Sequence, residues 1–412
     1  MKKQKVFTRN FTLLILGQAS SLVGNNALKF ALSMYVLERT GSAAVFSALL
    51  AAAMLPTILL SPLGGILADR LNRRNVMVAL DGITGAVALA AGVIFLPGGN
   101  VFIAGALLFA LAVLSASESP TVQACVPQML TGDNLIKGNA AVNQVQAITA
   151  LITPFLGSVA YAAFGLTPVL FGAAACFTLT AVLECFIRLG FQKAEKGMRA
   201  GAILKEDFSL SMRFLLKERP AVLKLLLLAA LVSLFVAGTV VVGFPYLVRS
   251  VLGLSAQHYG AAESAMGAAA VLGSLFVGIM AQKLRVRWLT AVFMGFGLCL
   301  VAAGAAFLLP LDTMSRYAML LAAFCLSQFG CSLFSTCAVS IIQSRTPNRL
   351  MGRIMSYVFA LSMCAQPVGQ IVYGALFDGL RGNPHWALLP SGLMVCVIAA
   401  ASAKFFVKLE SA

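Results

Sequence analysis

A few ionisable side chains lie inside long apolar stretches of this sequence, where charge is costly and tends to mark a functional site. Glu118 is set in the segment SASESP, among small polar residues such as Ser115 and just before Pro120, which loosens a helix. A carboxyl group held there can bind and release a proton near neutral pH. We therefore expect Glu118 to couple proton binding to function, with Asp81 as a second candidate. The alternative is a static role for Glu118, bonded to the backbone or paired with Lys29.

Lys29 follows two amides in the segment GNNALKF. Asn25 and Asn26 lie within about one helical turn of it, and Gln18 lies two turns before Asn25. A lysine in this position either pairs with an acid, Glu263 being at a similar predicted depth, or receives an anionic group of a ligand, and both remain open. Further polar residues expected to line a ligand cavity are Asn143, Gln146, Thr149, Gln328 and Ser332.

Two further acids have structural interpretations. Glu184 and Arg188 are four residues apart, which favours a local ion pair on a helix. Asp378 ends an apolar run and is expected to lie at the membrane interface.

The elements that must position these residues are membrane helices. Of the 412 residues, 60% are hydrophobic and 11% are charged, whereas a soluble chain is about 25% charged. Apolar runs of about 20 residues recur, and each can span the bilayer core as a helix. The sequence predicts an all-α membrane protein with twelve transmembrane helices at 11–37, 43–67, 76–96, 101–127, 139–164, 168–190, 221–247, 257–282, 288–309, 316–342, 350–378 and 386–407.

The basic residues indicate how these helices are oriented. With both termini in the cytoplasm, 25 of the 30 Lys and Arg fall on the cytoplasmic side, and only Arg39, Arg249, Arg316 and Arg381 fall on the other. This is the positive-inside pattern. The net charge of +16 is thereby explained by topology and anionic lipid, so no nucleic-acid partner is expected.

Motifs for catalysis and cofactor binding are missing from the sequence. It has no Gly-x4-Gly-Lys-Ser/Thr loop, no HExxH and no GxSxG. The nine Cys form no CxxC pair and fall in or near apolar runs, where they act as small hydrophobes. We expect neither an enzyme nor a bound metal or cofactor.

The sequence contains a long internal repeat. GILADRLNRR at 65–74 aligns with GIMAQKLRVR at 278–287, Pro154 with Pro367, and Gly157-x-x-x-Tyr161 with Gly369-x-x-x-Tyr373. The shifts agree to within a few residues, which indicates two six-helix halves in parallel. We predict halves at 1–190 and 220–412, joined at 191–219 by a cytoplasmic linker with an amphipathic helix.

This plan resembles the major facilitator superfamily, in which substrate binds between two six-helix halves. The segment 65–74 resembles the superfamily's signature loop between helices 2 and 3. Its Asp-Arg-x-polar-Arg-Arg form, together with TPNRLMGRIMS at 346–356, is similar to the branch of macrolide-efflux proteins and the enterobactin exporter. The resemblance covers nearly the whole chain.

The signature loop implies a conformational latch. Asp69 can cap the N-terminus of a neighbouring helix, and Arg70, Arg73 and Arg74 can pair with helix-end carbonyls, acids or lipid phosphate when the halves close. Gly65 opens the motif. Arg73 and Arg74 have the alternative of serving membrane topology alone, whereas acids contribute little to that rule.

The resemblance implies a proton-driven exporter of amphipathic small molecules (macrolide-, drug- or siderophore-like), working by alternating access. Thr153-Pro154-x-x-Gly157 is similar to a reduced exporter signature and favours export, whereas Leu111 replaces an Arg that the family's antiporters often carry. We expect a monomer in the bacterial inner membrane, with a small-molecule substrate, protons and membrane lipids as partners.

Two other functions remain open. SLVGNNALKFAL also resembles the lysophospholipid-transporter branch, so a lipid flippase in which Lys29 meets a phosphate is the main alternative. A substrate sensor that does not transport would tolerate the loss of Glu118.

Overall fold

A computed structural model describes residues 6–95, 100–130, 133–189, 220–280, 285–346, 351–380 and 382–411. Within α2 it describes the backbone of 61–70 but not the side chains. The predicted linker at 191–219 lies outside the described residues. Every regular element in the described part is helical, which confirms the all-α membrane class.

The first half of the chain contains six long helices. Several of them begin with a side-chain cap. At the start of the first helix the Thr8 side chain accepts a hydrogen bond from Phe11 N, and at the start of the fourth the Asn100 side chain accepts one from Phe102 N. Their bounds are α1 Arg9–Thr40, α2 Ala43–Arg70, α3 Arg73–Phe95, α4 Val101–Met129, α5 Asp133–Phe164 and α6 Leu166–Cys185.

The second half repeats this arrangement with one irregular helix. The helix that starts at Pro220 widens into π-helical turns at Ala237–Gly243 and Leu247–Val251, on either side of a short α-helical turn that contains Pro245. The bounds are α7 Pro220–Val251, including these turns, α8 Ala256–Met280, α9 Trp288–Ala305, α10 Thr313–Arg345, α11 Met351–Gly379 and α12 His385–Ser411.

Eleven of the helices in the described part are long and apolar enough to cross a membrane. The helix outside this set is α1, which carries the polar run of Gln18, Asn25, Asn26 and Lys29. The predicted count of exactly twelve transmembrane helices is therefore not confirmed and stays a prediction.

The chain divides into two compact units. Unit 1 comprises Met1–Gly41, Leu49–Lys196 and Ser255–Ser264, and unit 2 comprises Ser42–Ala48, Gly197–Leu254 and Ala265–Ala412. Each unit thus takes a short helix start from the other half of the sequence. The predicted boundaries at 190/191 and 219/220 fall where the structure is not described and remain predictions.

Glycines of the sequence repeat lie at close helix crossings in both units. In unit 1 a Cβ on Gly157 of α5 would come within 3.3 Å of Ala27 Cα on α1. In unit 2 a Cβ on Gly369 of α11 would meet the backbone of Leu234 on α7. Small residues let membrane helices approach closely, so the same device packs the fifth helix on the first helix of each half.

The exchanged helix starts also pack through small residues. In unit 2 the start of α2 places Ser47 against Gly374 of α11, where a Cβ would not fit. In unit 1 the start of α8 places Gly260 against Ser158 of α5 in the same manner. Ser47 and Gly260 are 213 residues apart, which is the repeat shift, whereas Ser158 and Gly374 are 216 residues apart, so the two contacts are similar without being equivalent by the repeat.

Candidate functional site

Ser21 joins two carboxyl groups inside unit 1. Its Oγ on α1 lies 2.9 Å from Asp81 Oδ1 on α3 and 2.8 Å from Glu118 Oε1 on α4. Ser21 is 2% exposed and Asp81 is 1% exposed. The serine therefore links three helices at a point that is closed to solvent on the Asp81 side.

The two contacts of Ser21 require a proton on one of its neighbours. A serine hydroxyl has a single hydrogen to donate, while an ionised carboxylate can only accept. If Ser21 donates to one carboxylate, the other contact is a hydrogen bond only when that second carboxyl is protonated and donates to Oγ. The geometry thus suits a site that holds at least one proton between Asp81 and Glu118.

Glu184 of α6 extends the group. Its carboxyl interacts electrostatically with that of Asp81, and it is only 2% exposed. Asp81 Oδ2 and Glu184 Oε2 are buried, and no donor in the described part of the chain reaches them. Two carboxyl groups can share a hydrogen bond only if one is protonated, so this pair of neighbouring acids also suits a site that holds a proton. We call Ser21, Asp81, Glu118 and Glu184 the carboxyl cluster.

The predicted ion pair between Glu184 and Arg188 is wrong. The helix α6 ends at Cys185, so Arg188 does not continue the helical spacing on which the prediction depended. The backbone of Arg188 instead exchanges hydrogen bonds with the Asn10 side chain, with Asn10 Nδ2 2.8 Å from Arg188 O and Arg188 N 3.3 Å from Asn10 Oδ1.

Small residues bring the helices of the cluster together. A Cβ on Gly85 of α3 would lie 3.3 Å from Phe177 Cβ on α6, closer than an ordinary contact, whereas one on Gly17 of α1 would meet Glu184 Cγ at an ordinary 3.6 Å. Thr180 Oγ1 donates to Gly17 O at 3.0 Å, which ties α6 to α1. Glycine thus allows the approach, and a polar bond between helices fixes the register.

Lys29 lies on the other side of the cluster. It is eight residues from Ser21 along α1, about 12 Å at 1.5 Å per residue. Its ammonium group interacts electrostatically with the Glu118 carboxyl. Lys29 is exposed and Glu118 is half-buried, unlike Asp81 and Glu184. The accessible end of the cluster therefore contains Glu118, the member that interacts electrostatically with Lys29.

Glu263 has a different partner from the one considered in the sequence analysis. Its carboxyl is hydrogen-bonded to the hydroxyl of Tyr259 on the same helix, α8. The Tyr259 ring stacks on Phe30 of α1, with centroids 5.4 Å apart and an interplanar angle of 15°. Lys29 interacts electrostatically with Glu118, and its two interpretations, pairing with an acid or receiving an anionic group of a ligand, both stay predictions.

An apolar layer covers the opposite end of the cluster. Met77 lies one turn from Asp81 on α3, and Val122 lies one turn from Glu118 on α4. Water has no polar partner in such a layer, so it separates the cluster from the end of unit 1 where α3 begins. We call this set the apolar layer; its members, at most 4% exposed, are Phe11, Leu14, Met77, Val122, Cys125, Val126, Leu130, Val142 and Ile187.

The other predicted cavity residues of unit 1 differ in their hydrogen bonds and in their burial. Gln18 Oε1 and Asn25 Oδ1 are buried and receive no hydrogen bond within the described part of the chain. The hydroxyls of Ser115 and Thr149 bond to carbonyls of their own helices, Ala112 O and Val145 O. The remaining three are Asn26 and Gln146, which are half-buried, and Asn143, which is exposed.

Gln328 and Ser332 belong to unit 2. They lie one turn apart on α10, and both are half-buried. Ser332 O accepts from Thr336 Oγ1 at 2.8 Å, a bond within the helix. Their predicted part in a substrate cavity stays a prediction.

The arginines of the signature loop hold helix ends in unit 1. Arg73 Nη1 donates to Ala124 O of α4 at 2.6 Å. Arg74 donates through Nε to Glu184 O at 3.4 Å and through Nη2 to Cys185 O, at the end of α6. Side-chain cations commonly satisfy the last carbonyls of a helix. These bonds form within one unit, so they do not need the closure of two halves that the latch prediction assumed.

The side chains of the remaining latch residues, Gly65, Asp69 and Arg70, lie outside the described residues. Their role as a conformational latch remains a prediction. A helix-capping acid does occur elsewhere in the structure: Asp378, at the end of α11, accepts from Ala43 N at 2.8 Å and from the Ser42 hydroxyl at the start of α2, all within unit 2.

Sequence reasoning missed two members of the cluster. Ser21 carries no signal of its own, because serine is common in membrane helices and usually bonds to its own helix. Glu184 was recognised as an acid within an apolar run, but it was predicted to form an ion pair with Arg188. Its spacing from the end of the apolar run was the only hint that it faces inward.

Multiple apolar helices with carboxyl groups buried among them are features of a multi-pass membrane transporter. The family model of the Major Facilitator Superfamily matches residues 14–370, and the chain belongs to this superfamily. It is accordingly a transporter and not an enzyme, as the sequence predicted.

The most informative relatives share a name. Macrolide efflux protein A of Streptococcus pyogenes is 24% identical over 407 residues, covering 96% of this chain and 96% of that protein. Macrolide efflux protein A of Enterococcus faecalis is 23% identical over 337 residues, covering 80% of this chain and 99% of that protein. The predicted resemblance to this branch is confirmed.

Solved structures show the same fold. A bacterial homologue of the iron transporter ferroportin in an inward-facing state has a TM-score of 0.75 at 18% identity and covers 98% of this chain and 99% of its own. The D-xylose-proton symporter has a TM-score of 0.68 at 14% identity and covers 95% of this chain and 96% of its own. At such identities the likeness concerns the fold alone.

Proposed function

We propose that this transporter is a proton-driven exporter of amphipathic small molecules, with macrolides as the first class to test. The observation that carries the proposal is the Ser21 hydroxyl within hydrogen-bond distance of both Asp81 and Glu118. The names of the relatives favour export and macrolides. We further propose a monomer in the bacterial inner membrane with both termini in the cytoplasm.

The carboxyl cluster is the proposed proton store. Glu118 is the half-buried member, so a proton enters there and Ser21 passes it on by accepting from one carboxyl while donating to the other. Asp81 and Glu184 then share it at a position closed to water. Rotation of one hydroxyl suffices for the transfer, because serine both donates and accepts.

Lys29 supplies the coupling between proton and substrate. When Glu118 is ionised, the ammonium group has a counter-charge beside it; when Glu118 is protonated, that counter-charge is lost and the lysine attracts another anion or repels a cation. Protonation of one carboxyl thereby changes the charge offered to a substrate, which is what antiport requires.

The apolar layer gives the proton path a direction. It covers the cluster at the end where α3 begins, which the positive-inside prediction assigns to the cytoplasm. Protons therefore reach the cluster from the Lys29 side and leave towards the cytoplasm only when the layer opens. Inward proton movement driven by the membrane potential would power export by alternating access.

A growth assay tests this proposal. The chain is expressed in a host that lacks its own efflux pumps, and growth inhibition is measured for macrolides, cationic dyes, siderophores and lysolipids. We expect protection against macrolides by the native protein and its loss in Glu118→Gln. The matched control is Glu38→Gln, which removes a carboxyl from the same half that bonds to Tyr161 Oη at 2.7 Å, outside the cluster.

Three outcomes would contradict the proposal in different ways. Protection that is retained in Glu118→Gln at equal expression would show that Glu118 does not couple proton binding to export. Protection against other compounds but not against macrolides would show that the substrate belongs to a class other than macrolides. Protection against none of them, with lysolipid translocation in vesicles, establishes the flippase alternative.

A further inference from the structure

A basic pocket lies at one end of unit 2, apart from the carboxyl cluster. It has a volume of about 200 Å³ and is formed by the first turn of α7 with the last turns of α10 and α12. Three cations line it, one from each helix: Lys224, Arg345 and Lys408. The other lining residues are Pro220, Ala221, Phe405 and Leu409.

The contacts inside the pocket preorganise its positive charge. Lys224 Nζ lies 5.7 Å from the centroid of the Phe405 ring, a distance at which a cation interacts with the ring face. Arg345 donates through Nη2 to Leu409 O, which uses one of its five N–H donors. The remaining donors suit an oxyanion, which an arginine binds through two parallel hydrogen bonds.

The three helices contain few acids. Neither α7 nor α10 contains Asp or Glu, and α12 contains only Glu410. The Glu410 carboxylate accepts from Arg287 N at 2.9 Å, at the start of α9.

An apolar track leads from the pocket along the helices. On α12, Val397 and Leu393 lie two and three turns before Phe405 and are 66% and 59% exposed. On α7, Leu227 lies one turn after Lys224 and is 52% exposed. A ligand that puts an anionic group in the pocket can thus lay hydrocarbon chains along this track.

We propose that this pocket binds the phosphate headgroup of an anionic phospholipid, with the acyl chains along the track. The chemistry that recognises the ligand is a phosphate group met by two lysines and one arginine. A soluble phosphate compound shares that chemistry, but it would leave the apolar track uncovered. The proposal does not depend on which substrate the protein exports.

The test uses the purified full-length protein in detergent. The midpoint of thermal unfolding is measured while phosphatidylglycerol, phosphatidylcholine, glycerol 3-phosphate or inorganic phosphate is titrated. We expect phosphatidylglycerol to raise the midpoint, and Lys224→Gln and Lys408→Gln each to weaken that effect by about fivefold in apparent affinity. Lys404→Gln is the matched control, because it removes a lysine of α12 that does not line the pocket.

Native mass spectrometry supplies a second readout that does not depend on stability. The wild type and Lys404→Gln should retain phosphatidylglycerol, and the double variant Lys224→Gln with Lys408→Gln should lose it. Equal retention by all three proteins, or no phosphatidylglycerol-specific shift in the wild type, overturns the proposal. A shift with glycerol 3-phosphate as large as that with phosphatidylglycerol overturns the lipid assignment in favour of a soluble phosphate.

Discussion

The carboxyl groups of Asp81 and Glu184, carried by α3 and α6, interact electrostatically at a position closed to solvent. Ser21 connects the same Asp81 to Glu118. Three acids in a row can be hydrogen-bonded to one another only if protons are held among them. The predictions below follow from that requirement and from the helix-end contacts around it.

Removal of the Ser21 hydroxyl should weaken the cluster. In Ser21→Ala, Asp81 Oδ1 and Glu118 Oε1 lose their common partner in a poorly hydrated site, which costs about 1–3 kcal/mol. We expect a lower thermal midpoint in detergent and slower transport. Ser21→Thr keeps the hydroxyl and should recover most of both. Ser33→Ala is the control on α1, and an equal loss in that variant would remove the special role of Ser21.

Asp81→Asn should abolish transport while lowering the thermal stability only a little. The new amide can donate to the Glu184 carboxylate without a shared proton, so the folded state keeps its hydrogen bond. Transport should be lost, because the cluster can no longer pass a proton to Glu184. The thermal midpoint should fall less than in Asp81→Leu, which supplies no donor. A transport-competent Asp81→Asn at native expression would contradict the relay.

Substitutions of Arg74 and Asp69 should have different effects on stability and on transport. Arg74→Gln removes donors to the last carbonyls of α6, so it should lower the thermal midpoint, by about 1 kcal/mol in unfolding free energy. Asp69→Asn should impair transport while leaving expression and the thermal midpoint near native values, as a latch requires. Vesicle transport and thermal unfolding of both variants check this. Normal transport by Asp69→Asn would contradict the latch interpretation.

Asp378 should stabilise the start of α2. It accepts from Ala43 N and from the Ser42 hydroxyl, and loss of a helix cap costs about 0.5–2 kcal/mol. Asp378→Ala should therefore lower the thermal midpoint more than Asp378→Asn, whose amide oxygen still accepts one bond. Equal midpoints for the two variants would mean that the carboxylate charge, and not the hydrogen bonds, stabilises this contact.

Residue type and hydropathy were enough to predict the helical membrane class and two members of the cluster, and the internal repeat with the signature loop predicted the superfamily. Glu118 and Asp81 stand out because acids are rare in apolar runs. The pairing of side chains could not be predicted, because it depends on how far each helix is rotated and shifted against its neighbours. Sequence spacing alone does not contain that information.

Glu184 illustrates the limit most clearly. An ion pair with Arg188 required α6 to continue for one more turn, but α6 ends at Cys185. Arg74 bonds to the carbonyls of Glu184 and Cys185 at that end, and Glu184 turns inward to Asp81. A contact between residues more than 100 positions apart thus decided the environment of an acid that local spacing had assigned otherwise.

The central claim is that a proton held by the carboxyl cluster drives export, and proton flux tests it most directly. The wild type, Glu118→Gln and Glu38→Gln are reconstituted in vesicles under an imposed pH gradient, and erythromycin-dependent proton movement is followed with a pH-sensitive dye. We expect flux in the wild type and Glu38→Gln and none in Glu118→Gln. Erythromycin-dependent flux that is undiminished in Glu118→Gln, or erythromycin transport without proton movement in the wild type, would contradict the claim.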